Sequence, residues 1–272
     1  MSHHQGLEQW IEIVSRQMRQ LSKTQAGVLA LYSFGVVMMQ SSGLRKVSVF
    51  VGALLGRKDN RVRQQLGEFC YDGDDKRGRH GQEVEVTACF GALVRWILGG
   101  WGSSEQRLAL ALDATSLGQR FRGLVLSGVY RGCAIPVAWA IVAGTHAAAW
   151  RWHWLGLLDS VAGYVPTGWT VLVLADRGWY AKWLFQHLVD LHGHPLLRIH
   201  GQGQFRRRHS TSFQALKTVV EHDGTARHLE LVCFKTPKAQ LSCTLLAHWH
   251  SACADPGLIV TDLLPNQATA AG

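Results

Sequence analysis

Two aspartates in this 272-residue chain stand where a carboxylate can do chemistry. Asp113 closes the apolar run Leu108–Asp113 (LALALD), and Asp176 closes Val171–Asp176 (VLVLAD). An Asp after a strand commonly forms a turn or caps a helix. Two of them on neighbouring strand ends repel one another unless cations hold them, which makes an aligned pair a divalent-metal site. Oxygen ligands with neither His nor Cys clustered nearby favour magnesium or manganese over zinc.

Whether the two meet depends on the elements between them. From Arg107 the apolar pattern is extended rather than helical. RLALALDAT is followed by GLVLSGVY and AIPVAWAIV, joined by the turn Arg131-Gly132-Cys133 into a hairpin. Trp150 to Val165 returns to helical spacing through Trp150, Trp154, Leu157, Leu158 and Val161. Thr170–Ala175, apolar on both faces, reads as a buried central strand. Tyr180–Leu191 is a second helix and HPLLRIH a further strand. A hairpin followed by a crossover helix returns the fourth strand parallel to the first on one sheet, and that topology sets Asp113 beside Asp176.

The first hundred residues read as helices. Leu7, Trp10, Ile11, Val14, Met18 and Leu21 fall at helical spacing, with Glu8, Glu12, Arg16 and Arg19 on the other side. Ala26–Met39 is shorter than the roughly 20 residues of a membrane span and fits a buried helix, so no membrane partner is expected. Val47–Leu55, a glycine break at Gly56, and Arg57–Phe69 form a helix, tight turn, second helix pattern. Arg57, Lys58, Asn60, Arg61, Arg63 and Gln64 are types that contact phosphates and base edges, or else line a solvated face. Tyr71–Gln82 has loop composition, Glu83–Leu98 is another helix, and a domain boundary falls between Gly99 and Gln106.

Composition points the same way. With 47% apolar residues the chain can bury a substantial core, which excludes disorder and small disulfide scaffolds. Lys and Arg number 28 against 19 Asp and Glu, a net charge of +9, and nucleic acid is the first candidate partner. The excess is concentrated: Arg45–Arg79 holds 9 basic and 5 acidic residues, and Gly201–Gln240 holds 7 and 3. Six scattered cysteines without a C-x-x-C pair read as reduced thiols of a cytoplasmic protein.

The blocks ALLGRKDNRVRQQL, LALALDATSLG, VYRGCAIPVAWAIV, WRWHWLGLLDSV and VLVLADRGWYAKWLF, in that order, resemble the DDE transposases of bacterial insertion sequences, most closely the insertion-sequence-four type. The resemblance implies an α/β fold with a ribonuclease-H-like mixed sheet over 106–272, interrupted by a strand-rich insertion at 201–240, and a helix-turn-helix-like DNA-binding region over 1–100. Asp113 and Asp176 match the first two acids of its catalytic triad. It implies two Mg²⁺ or Mn²⁺ ions about 3.5 to 4 Å apart that serve DNA cleavage and strand transfer without a covalent protein intermediate. It further implies double-stranded DNA, both transposon ends and target, as partner, and a homodimer acting on paired ends in the bacterial cytoplasm at the nucleoid. Arg206, Arg207 and Arg208 of the insertion would join the phosphate contacts.

Other residues keep two readings. Arg177 and Tyr180 either contact phosphate or begin a helix that packs on the sheet. Trp150, Trp152, Trp154, Trp179 and Trp183 either stack on an unpaired base or fill core and interface. His248, His250 and the cysteines Cys233, Cys243 and Cys253 lack the short paired spacing of a zinc site. The family's third acid, a glutamate in Y-x-x-R-x-x-x-E, has no match after the insertion. Asp255 reads as a turn residue before Pro256, which leaves Asp262, at the end of GLIVTD, as the nearby substitute. The expectation is therefore a C-terminally shortened transposase with impaired catalysis. Its alternatives are a DNA-binding regulator of an intact transposase and a metal-dependent nuclease that manages with two acids.

Overall fold

The structure, a computed structural model, describes residues 2–76, 82–101, 106–144, 150–234 and 240–271. It divides into two compact units, Met1–Gly100 and Trp101–Gly272.

The first unit is helical: α1 (His3–Gln17), α2 (Lys23–Met39), α3 (Leu44–Leu55), α4 (Asp59–Glu68) and α5 (Thr87–Gly99). The start of α2 is fixed by a reciprocal capping box between Ser22 and Gln25, which satisfies two amide donors that the first turn would leave open. Leu7, Val28, Leu31, Val47, Val51, Val62 and Leu66 form one core cluster, shared by the first four helices. Val14, Met18, Ala26 and Ala30 form another, against which Cys89, Ala92 and Trp96 of α5 pack. The α3–α4 turn depends on two glycines. Gly56 takes φ +63, and at Gly52 a Cβ would lie 2.9 Å from the Arg57 carbonyl oxygen. The Arg57 N–H instead closes on the Gly52 carbonyl at 2.9 Å, the kind of left-handed helix stop that glycine permits.

Two expectations shift here. The helix expected from Glu83 begins at Thr87, where Gln25 Nε2 donates to the carbonyls of Gln82 (3.4 Å) and Glu83 (3.0 Å) and so takes up acceptors that a helix starting there would use. The last turn of α2 is not buried: Val37 is 62% exposed.

The second unit is a mixed α/β domain on one ten-stranded sheet, in the order β3-β2-β1-β4-β5-β10-β9-β8-β6-β7. Its strands are β1 (Arg107–Leu117), β2 (Phe121–Tyr130), β3 (Cys133–Ala143), β4 (Thr170–Ala175), β5 (His194–Arg198), β6 (Gln204–Arg207), β7 (Gln214–Ala215), β8 (Ala226–Phe234), β9 (Leu241–His248) and β10 (Gly257–Thr261). β4 runs parallel to both β1 and β5, and the remaining pairs are antiparallel. The β2–β3 hairpin turns through Arg131 (φ +49) and Gly132 (φ +80), the doubly positive turn that matches strand twist. It carries a bulge at Leu126/Ser127, where Ser127 faces Pro136.

Side chains alternate across the sheet. One face, with Leu108, Leu110, Leu112, Leu124, Leu126 and Val173, is buried, and α6 (Trp150–Ala162) and α7 (Lys182–Asp190) pack on this domain through Trp154, Leu157, Leu158, Leu184, Phe185 and Leu188. On the other face α8 (Pro265–Ala271) builds a smaller cluster of Leu263 and Ala268 with Leu172, Leu196 and Leu246. Residues 201–240 supply β6, β7 and β8, which extend the same sheet rather than forming a separate layer.

Candidate active site at the ends of β1 and β4

Leu112 of β1 is aligned with Ala175 of β4 in the parallel ladder. Asp113 and Asp176 follow these residues directly, on strands that neighbour at about 4.8 Å. Asp176 is still extended at φ −76, ψ 171, so both carboxylates continue the face of Ala111 and Leu174. Both are exposed. The Asp113 Oδ1 accepts the Ala114 N–H at 2.9 Å. Asp176 Oδ1 lies 3.5 Å from Arg198 Nη1, at the end of β5 on the same face.

One part of the expected geometry is corrected. Asp113 is not at a strand end: β1 continues to Leu117, paired with β2 as far as Phe121. β4 ends at Ala175, so among the described residues no strand pairs with 113–117 on that side. Asp113 thus sits where the sheet narrows, in a notch beyond the end of β4.

The structure separates the other candidates. Asp262 follows β10, which is antiparallel to β5, with Val260 opposite Leu197 and Leu197 opposite Ala175. Asp262 is therefore level with Val173, three residues or about 10 Å back along the strand direction from Asp176 and two strands across the sheet from it. There both its oxygens meet His194 Nδ1, at 3.0 and 3.1 Å. It cannot substitute for a third acid beside Asp113 and Asp176. Asp255 lies in the β9–β10 loop at the same end as the two acids, a position its turn-like sequence did not reveal. It faces Arg177, with Nη1 to Oδ2 at 3.5 Å. Among the described residues no group of three His, Cys, Asp or Glu could hold a metal ion.

Arg177 begins the short 3₁₀ turn Arg177–Trp179, and its side chain is one quarter exposed, with a buried Nε that has no hydrogen-bond partner. Tyr180 ends that turn, half-buried. Arg206, Arg207 and Arg208 lie on and just after β6, five strands from β4, about 24 Å across the sheet. Arg206 donates to the Ser210 carbonyl at 3.1 Å, and Arg208 pairs with Glu230 at 3.3 Å. Trp150 and Trp154 are core residues, whereas Trp152 is 71% exposed. The Arg151 guanidinium stacks over both Trp152 and Trp183, at 5.4 and 5.3 Å. The side chains of Trp179 and Cys233 lie outside the described residues. His248 bonds the Gly224 carbonyl and His250 accepts the Ala252 N–H. In the nearby turn Asp223 is held below the usual carboxylate range, chiefly by the Thr225 N–H and then by the Thr225 hydroxyl.

In the first unit Arg57, Lys58, Asn60, Arg61 and Arg63 are all exposed at or near the start of α4. Val62 and Leu66 point into the core.

Neither a protein-family model nor a curated protein matches the sequence. Among solved structures the chain is similar to a piggyBac transposase in a synaptic complex with hairpin DNA, with 9% identity and a TM-score of 0.44. The match covers 89% of this chain and 52% of that one, so the chain spans about half the length of that neighbour.

Proposed function

We propose that the chain is a DNA-processing protein of the DDE transposase kind, of the insertion-sequence-four type, in which Asp113 and Asp176 bind a divalent ion and the first unit binds DNA. The observation that carries this reading is the register of β1 and β4. It brings two exposed carboxylates side by side at the notch of a sheet whose first five strands, in the order β3-β2-β1-β4-β5, suit a ribonuclease-H-like core. Two carboxylates fit one magnesium or manganese ion whose remaining positions are filled by water and a substrate phosphate. They do not fit the two-ion centre of the complete family, since Asp262 stands back along the strands against His194 and Asp255 faces Arg177. When bound, such an ion supplies Lewis-acid activation of an attacking oxygen and of the phosphoryl group. Arg198 beside Asp176 then supplies positive charge for a phosphate entering the notch.

The absence of a third ligand among the described residues favours a second reading, in which the chain binds transposon ends without cutting them and regulates an intact enzyme. Incubation of the protein with duplex DNA and Mg²⁺ or Mn²⁺ separates the two. Metal-dependent cleavage or strand transfer that falls at least 100-fold in both Asp113→Ala and Asp176→Ala, with DNA affinity retained, supports catalysis. Binding without any product supports the regulator. Equal product from wild type and both variants removes the two aspartates from the reaction.

A further inference from the structure

A groove of the first unit runs between the start of α2 and the α3–α4 turn and has a volume of about 1260 Å³. Its lining is cationic. Arg57, Lys58, Arg61 and Lys76 face it against one carboxylate, Glu68, whose Oε1 is already bonded by Gln64 Nε2 at 2.9 Å. Lys76 is anchored to the Gln82 carbonyl at 2.7 Å. The same carbonyl and that of Glu83 accept from Gln25, so the wall opposite α4 is built by specific hydrogen bonds. The side chains of Arg57, Lys58 and Arg61 make no ion pair among the described residues. Like charges converging on a concavity concentrate a positive potential there and draw in an anion.

We propose that this groove seats the sugar-phosphate backbone of DNA, and that α4 divides its labour between two sides. The inference rests on the DNA-processing reading given above and assigns it a surface. Arg57 in the α3–α4 turn, Lys58 at the N-cap and Arg61 in the first turn of α4 spread their charges along the groove, so they engage neighbouring phosphates along a strand rather than one small anion. Among the described residues the groove has no stacking platform. Phe69, the aromatic residue lining it among the described residues, is drawn into the core cluster of the unit, whereas binding through bases needs open aromatic faces. Asn60 and Arg63 fall on the other exposed side of α4, more than 90° round the helix from Arg61. Base reading falls to that side, and contacts to phosphate, which carry no sequence information, fall to the groove.

The test measures binding of the full chain to a labelled 30-base-pair duplex of random sequence across a salt series. The double variant Lys58→Gln, Arg61→Gln is expected to weaken binding at least tenfold and to lower the slope of log K against log salt by about two. Lys58→Arg should hold wild-type affinity. The double variant Arg45→Gln, Lys46→Gln removes the same charge from α3, outside the groove, and should weaken binding less than threefold. Thermal melts of each variant establish that it is folded. If the groove variant keeps wild-type affinity and slope, or the α3 variant loses as much, the groove assignment is overturned while DNA binding stands. If the wild-type chain shows no salt-dependent binding to the duplex, both this inference and the DNA-processing reading fall. Competition by a polyglutamate peptide that displaces DNA at equal charge concentration would overturn the choice of DNA over an acidic protein segment.

Discussion

Arg177 and Asp255 show how little one residue's sequence context says about the partner it meets. Arg177 directly follows a candidate catalytic acid, and its type suggests phosphate binding. In the folded chain it turns toward Asp255, which is 71% exposed while Arg177 is 25% exposed. A pair so open to water is worth little, about 0 to 1 kcal/mol, but the Arg177 stem is packed, and packing is lost on truncation. Asp255→Asn should therefore lower the unfolding free energy by less than about 1 kcal/mol, and Arg177→Ala by more, in urea denaturation. A loss above about 3 kcal/mol for Asp255→Asn would mean a buried pair instead. The sequence announced Asp113 and Asp176 because an apolar run stops at each. It gave no sign of Asp255, whose local signal, Asp before Pro, is that of a turn. It also gave no sign of Arg198, since a strand's last residue does not declare which neighbour it will reach.

At the level of elements, helix and strand types follow from periodicity, while their ends and pairings are set by tertiary partners. The apolar alternation of β1 fades at Asp113, where β4 no longer flanks it, yet the ladder to β2 carries the strand on to Leu117. The length of one strand thus depends on two neighbours of unequal reach. The start of α5 is likewise displaced by Gln25, a residue 57 positions from Gln82. Glycines in α2 give a paired prediction. A Cβ at Gly35 would lie 2.6 Å from Val47 Cγ1 and 3.1 Å from Val51 Cγ2, both fully buried. Overpacking of this kind costs about 1 to 3 kcal/mol and exceeds or cancels the gain of up to about 1 kcal/mol that Ala brings to a helix interior. At Gly27 a Cβ meets nothing within 4 Å. Gly27→Ala should raise the melting temperature and Gly35→Ala should lower it. The same sign for both would refute the close α2–α3 approach.

On the scale of the whole molecule, the two charge-rich segments found in the sequence serve different surroundings. From the first, Arg57, Lys58, Arg61 and Lys76 line a groove in the helical unit. From the second, Arg206, Arg207 and Arg227 lie on strands far from the acids, and Arg206 and Arg208 are engaged with Ser210 and Glu230. That strands from 204 onward would join the sheet of β1 to β5 was not legible, because β10, the strand that bridges the two halves, comes last in the sequence. A ten-stranded sheet also ends in edges, and β3 is a long one of eleven residues. Its Pro136 lacks an amide hydrogen, and the bulge opposite it at Leu126/Ser127 breaks the regular ladder; both features discourage a second chain from adding a strand. The hairpin irregularity is thus a safeguard for a newly made chain, whose long edge would otherwise template assembly before the molecule is complete. Pro136→Val should leave the folded protein's circular dichroism unchanged while raising light scattering several-fold during refolding at micromolar concentration. Equal scattering would show that the edge is protected by other means.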